Sequence, residues 1–343
     1  MSKVDKSIQN PKTLIVHSGV MHADDIMTAA ILSYAYPGIE IKRMLDKDIT
    51  EEMKEDSRTL ICDIGKEYNP KKGLFDHHND CTLMADGVKH SAVGLILPYL
   101  PKEFRGKMPQ ELLEQIDMIE HVDNGATHPL YDHNEYNLAT FANVMNPTWN
   151  SNANSDSRFM EAVTLFREHL VEPMMEGRYS KSDELAMRSV YETRLAESEQ
   201  ALKDAEYLVT NAYNASKDRI VVLPQFAPWQ SYLVDKDADF VIFPSNRGGY
   251  NLQCVPPELG SFDKKVELPD WHGDVKPEGM TFEAPGLFIA GFDTLEHALN
   301  AAKQVEMDHQ NKGQQNQQIK EDLLDINLPE GGHNDTQSQL GES

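Results

Sequence analysis

Phe75-Asp76-His77-His78 ends an apolar approach in an acid and two imidazoles. Such a cluster is costly to bury unless a cation sits on it. His17, His22, Asp24, Asp63 and Asp123 offer the same donor types, and with His77 they make a set of six. Neutral imidazoles and carboxylates suit Mn, Zn, Fe or Co, and no thiolate cluster favours a zinc-finger-like site. Such a set is too large for one ion with an open position. It suits two ions about 3.5–4 Å apart that share one carboxylate, with Asp63 as the natural bridge. A water held between two such ions loses its proton near neutral pH and attacks phosphorus, while the ions take up charge on the equatorial oxygens. Asp76 is expected to orient His77 through its second ring nitrogen, as metal-bound histidines require. His78 is then left to face the phosphate or leaving group.

Taken singly, each member has a plainer role. Asp63 reads as a turn residue, His17 as a satisfied core histidine and Asp24 as a helix N-cap. His128 and His133, in a loop rich in His and Asp, read as surface residues. The joint pattern is stronger than any member because each donor falls where an α/β fold would put it.

The elements that must position these groups are legible. Thr13-Leu14-Ile15-Val16-His17 and Thr59-Leu60-Ile61-Cys62-Asp63 are apolar, β-branched runs that end in a potential ligand. His22 and Asp24 sit in the loop after the first run, before a helix from Ile26 to about Tyr36 that stops at Pro37-Gly38. Ile39 to Arg43 alternates as a strand, and Asp46 to Glu55 is an acidic, helical surface stretch. Gln110 to about His121 is amphipathic, with Leu112, Leu113, Ile116 and Ile119 at helical spacing, and Asp123 follows it. Strands alternating with helices predict a doubly wound α/β domain with a largely parallel sheet. In such sheets ligands gather outside the carboxyl ends of the strands, which is where His17, Asp63 and the Phe75-Asp76 step lie.

Further along, Asn143 to Ser157 reads as a loop, and Phe159 to Leu170 and Lys181 to Tyr207 as helices linking two lobes. A second, smaller α/β lobe has strands at Ile220 to Leu223, Phe240 to Phe243, Tyr250 to Val255 and Leu287 to Ala290, then a helix from Leu295 to about Met307. The predicted organisation is a polar segment 1–12, a metal-binding catalytic domain 13–157, a helical linker 158–215, a substrate-binding lobe 216–307 and a disordered acidic, Gln- and Asn-rich tail 308–343. An inert tail is the simpler reading, with peptide docking through Glu321 to Pro329 as the alternative.

The chain has 343 residues, 40% of them hydrophobic, which is enough to bury a real core. Its formal charge of -24 argues against a general nucleic-acid or membrane binder, since those are usually basic. Cys62, Cys81 and Cys254 are scattered and form no disulfide framework, so a cytoplasmic location is expected. No apolar run is long enough to span a bilayer. A homo-oligomer is compatible with all of this.

The ordered motifs resemble the DHH phosphoesterase superfamily, and within it the MYG1 (UPF0160) branch. His17-Ser18-Gly19-Val20-Met21-His22-Ala23-Asp24-Asp25 is similar to that branch's first motif. Asp63-Ile64-Gly65, Phe75-Asp76-His77-His78, Ser91-Ala92-Val93-Gly94-Leu95 and Val122-Asp123-Asn124-Gly125 resemble the motifs that follow. Asn146-Pro147-Thr148-Trp149-Asn150 and Phe226-Ala227-Pro228-Trp229 are further hallmarks, so the resemblance covers roughly Thr13 to Gln304. It implies a two-lobed DHH-type fold and phosphoester hydrolysis with two divalent ions, Mn2+ first among them. For this branch it implies 3′-5′ exonuclease action on RNA or short oligonucleotides. Carried over by position, His17, His22, Asp24, Asp63, His77 and Asp123 are the metal ligands, Asp76 and His78 are catalytic, and His78 and Asn124 contact substrate. Gln230 stands where the branch usually has Lys. The segment Phe288 to Thr294 lacks the His and Gly-Gly expected there. Two other functions are therefore weighed: hydrolysis of a small phosphate compound such as pyrophosphate or a dinucleotide, and a non-catalytic metal-binding scaffold.

Overall fold

The computed structural model describes residues 10–78, 82–216, 218–271 and 276–326, with the side chains of 313 and 316–326 left aside. The chain divides into two units, 1–202 and 203–343.

In the first unit the strands are Thr13–His17 (β1), Glu40–Met44 (β2), Thr59–Cys62 (β3), Tyr68–Asn69 (β4) and Leu74–Phe75 (β5). They form one sheet in the order β2-β1-β3-β5-β4, parallel except for β4 at its edge. The register sets Leu14 beside Leu60 and Cys62 beside Phe75, so β1, β3 and β5 end along one edge. These strands are apolar on both faces, as parallel strands covered on two sides must be. The cover is lopsided. Leu14, Val16, Leu60, Cys62 and Phe75 point into the main core, whereas Ile15, Ile61, Ile64 and Leu74 form a small separate cluster with Met44, Ile49 and Met53.

The helices of this unit are Ala23–Ala35 (α1), Glu51–Glu55 (α2), Ala92–Ile96 (α3), Lys102–Arg105 (α4), Gln110–Asp123 (α5), Leu138–Met145 (α6), Ser155–Phe166 (α7) and Glu172–Met175 (α8), followed by Lys181–Ala215 (α9). In α1 every residue from Ala23 to Leu32 is buried, Asp24 and Asp25 included. A helix apolar on all sides belongs at the centre of a domain, and α1 packs against α3, α5, α6 and α7. It begins earlier than the sequence predicts. His22 is the N-cap, and its backbone N–H donates to Asp25 Oδ1 at 3.1 Å, so Asp24 lies inside the first turn and is not the cap. The stretch 143–157 is only partly a loop, because α6 runs to Met145 and α7 starts at Ser155. The region expected to link lobes begins as core: Phe159, Phe166, Val171, Met187 and Tyr191 are buried in the first unit. The unit boundary falls inside α9.

In the second unit Ile220–Val222 (β6), Phe240–Pro244 (β7), Tyr250–Cys254 (β8), Met280–Glu283 (β9) and Ile289–Phe292 (β10) form a sheet in the order β6-β7-β8-β10-β9. Only the β6–β7 pair is parallel. The helices are Gln230–Leu233 (α10) and Leu295–Ile326 (α11). Ala298, Ala301, Ala302 and Val305 of α11 join the core that the sheet builds. The sequence reading missed β9, whose residues are exposed or half-buried without alternation, and ended α11 near Met307. The helix continues to Ile326 into a stretch expected to be disordered, and 327–343 lie outside the described residues. Cys62 and Cys254 are free and buried, and Cys81 lies outside the described residues. Among the described residues no helix is long and apolar enough to cross a membrane.

Candidate metal centre

The carboxyl edge of the first sheet gathers the expected donors. His17 closes β1, and Asp63 follows β3 in the left-handed region at φ 62°, a conformation that Asp tolerates better than most residues. Its backbone N–H donates to Phe75 O at 3.1 Å, which ties β3 to β5 where the ligands begin. One Asp63 oxygen, Oδ2, lies 3.1 Å from His17 Nε2. The other, Oδ1, lies 3.0 Å from His77 Nε2. His77 Nε2 is also 3.3 Å from Asp123 Oδ2, at the end of α5. His22 has donor atoms within 4.8 Å of His17 and Asp63 on one side and of Asp24 and Asp123 on the other. All six sequence-predicted ligands therefore converge on one place.

The chemistry of the donors fits divalent cations. His17 Nε2, Asp24 Oδ1, Asp25 Oδ2, Asp63 Oδ1 and Asp123 Oδ2 are buried and make no well-aligned hydrogen bond, although His17 Nε2 stands 2.8 Å from Asp25 Oδ2 and His77 Nε2 faces Asp63 and Asp123. A buried carboxylate short of partners costs several kcal/mol, and here four are crowded around three imidazoles, an arrangement that added positive charge would stabilise. The titration behaviour says the same. Burial, then the charges of Asp63 and Asp123, push the Asp24 carboxyl well above its ordinary range. Burial also raises Asp123, against the pull of His77. Burial would raise Asp63 too, but His17 and His77 outweigh it and hold Asp63 well below the ordinary range. For His17 burial works downward, yet the Asp25 and Asp63 carboxylates push it up to about 10. A second group of donors, Asp117, His121 and His128, makes the contrast. Its ring nitrogens are already engaged: His121 with Asp117 O at 2.8 Å and Asp86 Oδ2 at 2.8 Å, His128 with Asp117 Oδ2 at 3.1 Å and the Leu130 N–H at 3.1 Å. His128 is thus partly buried and paired, whereas the sequence suggested a plain surface residue.

Asp76 does something other than expected. It does not orient His77. Its Oδ1 accepts the His78 backbone N–H at 3.0 Å and lies 2.7 Å from His78 Nδ1, while Oδ2 accepts the Lys66 N–H at 2.6 Å. A side chain that captures the N–H two residues on is an ordinary local turn device, and it wins over reaching the neighbouring ring. His78 is consequently held by Asp76, leans on His77 with ring centroids 4.5 Å apart, and keeps its side chain 61% exposed. Its Nδ1 is 3.8 Å from Asp63 Oδ1, but Asp76 holds that nitrogen. Asn124 is engaged within its own surroundings: its Nδ2 donates to Glu120 O at 2.9 Å and Lys89 O at 3.0 Å at the end of α5. A cavity of about 460 Å³ opens on the centre, lined by His17, His22, Asp63, Asp76 and His78 among others.

Sequence reasoning did not foresee how these donors are supported, although Asp25 suits a first helical turn and Glu120 supplies the acid three residues before Asp123. Asp25 is the acid three residues after the cap, a spacing that could have marked it. Asp24 Oδ2 accepts the Ala92 N–H at 3.2 Å, so the start of α3 seats that carboxylate. Glu120, 5% exposed, meets His90 Nδ1 at 2.6 Å in the space left by Gly94, which has no side chain to block it. Nothing in the local sequence announces that Arg43 or Asn146 reaches the ligand loop.

Comparison with known proteins places these features in a family. The profile of MYG1_exonuc, described as an uncharacterised protein family (UPF0160), matches residues 13–305. The MYG1 exonuclease of Mus musculus is 24% identical over 347 residues, covering 87% of this chain and 85% of that one. The MYG1 exonuclease of Homo sapiens is 26% identical over 345 residues, covering 85% of each. The MYG1 protein of Dictyostelium discoideum is 26% identical over 331 residues, covering 84% and 94%. Among solved structures, the pGpG-specific phosphodiesterase PggH of Vibrio cholerae aligns at a TM-score of 0.44 and 12% identity, over 86% of this chain and 99% of that one. RecJ of Thermus thermophilus in complex with Mn2+ aligns at 0.37 and 13%, over 87% and 53%.

Proposed function

The chain belongs to the MYG1_exonuc family (UPF0160), and on that premise we propose that it is a two-metal phosphoesterase, an exonuclease that trims RNA or short oligonucleotides from the 3′ end. One observation carries the reading: Asp63 turns one oxygen to His17 and the other to His77, amid buried acids and imidazoles that make no well-aligned hydrogen bonds. The exonuclease name borne by the mammalian relatives supports the substrate class.

His17, His22 and Asp63 would hold an ion on one side, and Asp63, His77, Asp123 and Asp24 on the other, with His22 within reach of the second group as well. Bound divalent cations, Mn2+ first among them, would supply Lewis-acid charge and an acidified water. The chain's own residues do the rest. Asp63 fixes the spacing between the two donor groups. His78 faces the cavity side of the centre with Nδ1 held by Asp76, which leaves Nε2 to bind a phosphate oxygen or to move a proton at the leaving oxygen. His78 has a donor atom within 4.8 Å of Asp63 and His77, but Asp76 holds its Nδ1 and its side chain is exposed, which suits contact with substrate.

A second reading has its own support. A formal charge of -24 repels a long polyanion far more than a small one, which favours a dinucleotide or pyrophosphate. The test uses 5′-labelled RNA, the same RNA blocked at its 3′ end, a dinucleotide and pyrophosphate, each with Mn2+. The proposal expects stepwise shortening of the open RNA alone. Equal loss of blocked and open RNA overturns the direction, and turnover of only the small compounds selects the second reading.

A further inference from the structure

We propose that Arg43 and Asn146 are positioning residues: they clamp the loop between β1 and α1 so that His17 and His22 present to an ion on one side of Asp63. This rests on the two-ion reading above. The loop has little apolar anchorage of its own. Met21 is buried, but Ser18 and Gly19 lie toward solvent and Val20 is 65% exposed. Polar contacts from elsewhere in the unit fix its backbone instead.

Arg43, on β2, has a side chain only 3% exposed. Its Nε donates to His17 O at 3.1 Å and its Nη2 to Gly19 O at 3.0 Å. Its Nη1 donates to Ser155 Oγ at 2.9 Å and to Asp156 at 3.0 Å, at the start of α7, and Ser155 Oγ itself donates to Gly19 O at 2.9 Å. The guanidinium lies 4.7 Å from the Phe159 ring centroid, which closes one face. A rigid fork matches several fixed acceptors in a way that a lysine cannot.

Asn146 holds the other end of the loop. Its Oδ1 accepts the Met21 N–H at 2.8 Å and its Nδ2 donates to Met21 O at 3.0 Å and Ala142 O at 3.2 Å. The side-chain amide thus pairs with both backbone groups of the residue before His22, as a neighbouring strand would. The groups on the other side of Asp63 have no such need, since His77 follows β5 closely and Asp123 stands on α5. The consequence is asymmetric: loosening the clamp reaches His17 and His22 and leaves His77 and Asp123 in place.

The test is a Mn2+ titration of the full chain by calorimetry, on the wild type, Asn146→Asp and Arg43→Lys. Asn146→Asp keeps the shape and the Met21 N–H bond but turns an oxygen toward Met21 O. Arg43→Lys keeps the charge and loses the fork. Loss of outer support typically weakens metal affinity about 10–100-fold, and that drop is expected in one class of site only. Turnover should return toward the wild-type level at saturating Mn2+. Unfolding midpoints measured with EDTA check that each variant folds. Unchanged affinity at both sites, or an equal fall at both, overturns the proposal. If the wild type itself binds a single ion, the two-ion reading fails separately, and the clamp stands or falls on whether that ion's affinity drops.

Discussion

Asp63 Oδ1 lies 3.0 Å from His77 Nε2, a contact too poorly aligned to satisfy the buried oxygen as a hydrogen bond. The same carboxylate meets His17 through Oδ2. A residue shared in this way serves both halves of the centre, so Asp63→Asn should weaken both at once. The expected loss of Mn2+ affinity exceeds the roughly 100-fold that an outer-shell change costs, with activity falling in parallel. Equilibrium dialysis against Mn2+ and a turnover assay check this together.

The two adjacent histidines should part company. His77→Ala removes a donor that faces Asp63 and Asp123, and is expected to lower metal affinity. His78→Ala should leave bound metal at the wild-type level and lower kcat by about 10²–10⁴, the range for losing a positioned acid or base. Equal metal loss in both variants would show that His78 is a ligand. Asp76→Asn should resemble a milder His78→Ala, because Asp76 holds the His78 ring.

Stability in EDTA should fall as pH rises from mildly acid to alkaline. The carboxyls of Asp24, Asp25 and Asp123 are raised by burial, so the fold prefers them protonated, and that advantage is lost above their ordinary value of 3.8. His17 is raised from 6.5 to about 10, so its contribution is complete below 6.5 and disappears as pH climbs through 10. Asp63 is lowered, so its contribution is lost only in the acid range, as pH falls below its ordinary value. With Mn2+ the trend should reverse, since metal binding displaces protons. Asp24→Asn should raise the EDTA-treated midpoint at pH 7, by about 2–4 °C per kcal/mol recovered, while weakening metal binding. Thermal scans across pH, with and without Mn2+, read all three effects.

Gly94→Ala should destabilise the first unit. A Cβ there overlaps the Glu120 carboxylate and crowds the His90 ring. Glu120 is buried and bonded to His90, so it has little freedom to yield. The cost expected is about 1–3 kcal/mol, the range for overpacking, read by chemical denaturation.

The convergence of these donors was legible because strand ends are legible. His17, Asp63 and His77 each close or follow an apolar run, and parallel topology carries such ends to one edge whatever their separation in sequence. The supports were not, because Arg43 and Asn146 act through backbone atoms of a loop distant in the chain, and backbone acceptors leave no mark on sequence. Asp76 serves His78 for a local reason: an acid beside two histidines can partner either ring, and the turn in which Asp76 accepts the His78 N–H decides between them. The second unit's β9 was missed because Met280–Glu283 is mostly solvent-facing. The helical extension of α11 runs through Gln and Asn, residues that favour disorder by composition yet do not forbid a helix.

The measurement closest to the central claim is anomalous diffraction from crystals of the full chain soaked with Mn2+. Two peaks are predicted, about 3.5–4 Å apart, one on each side of the Asp63 carboxylate. A single peak, or peaks that do not flank Asp63, would contradict the account.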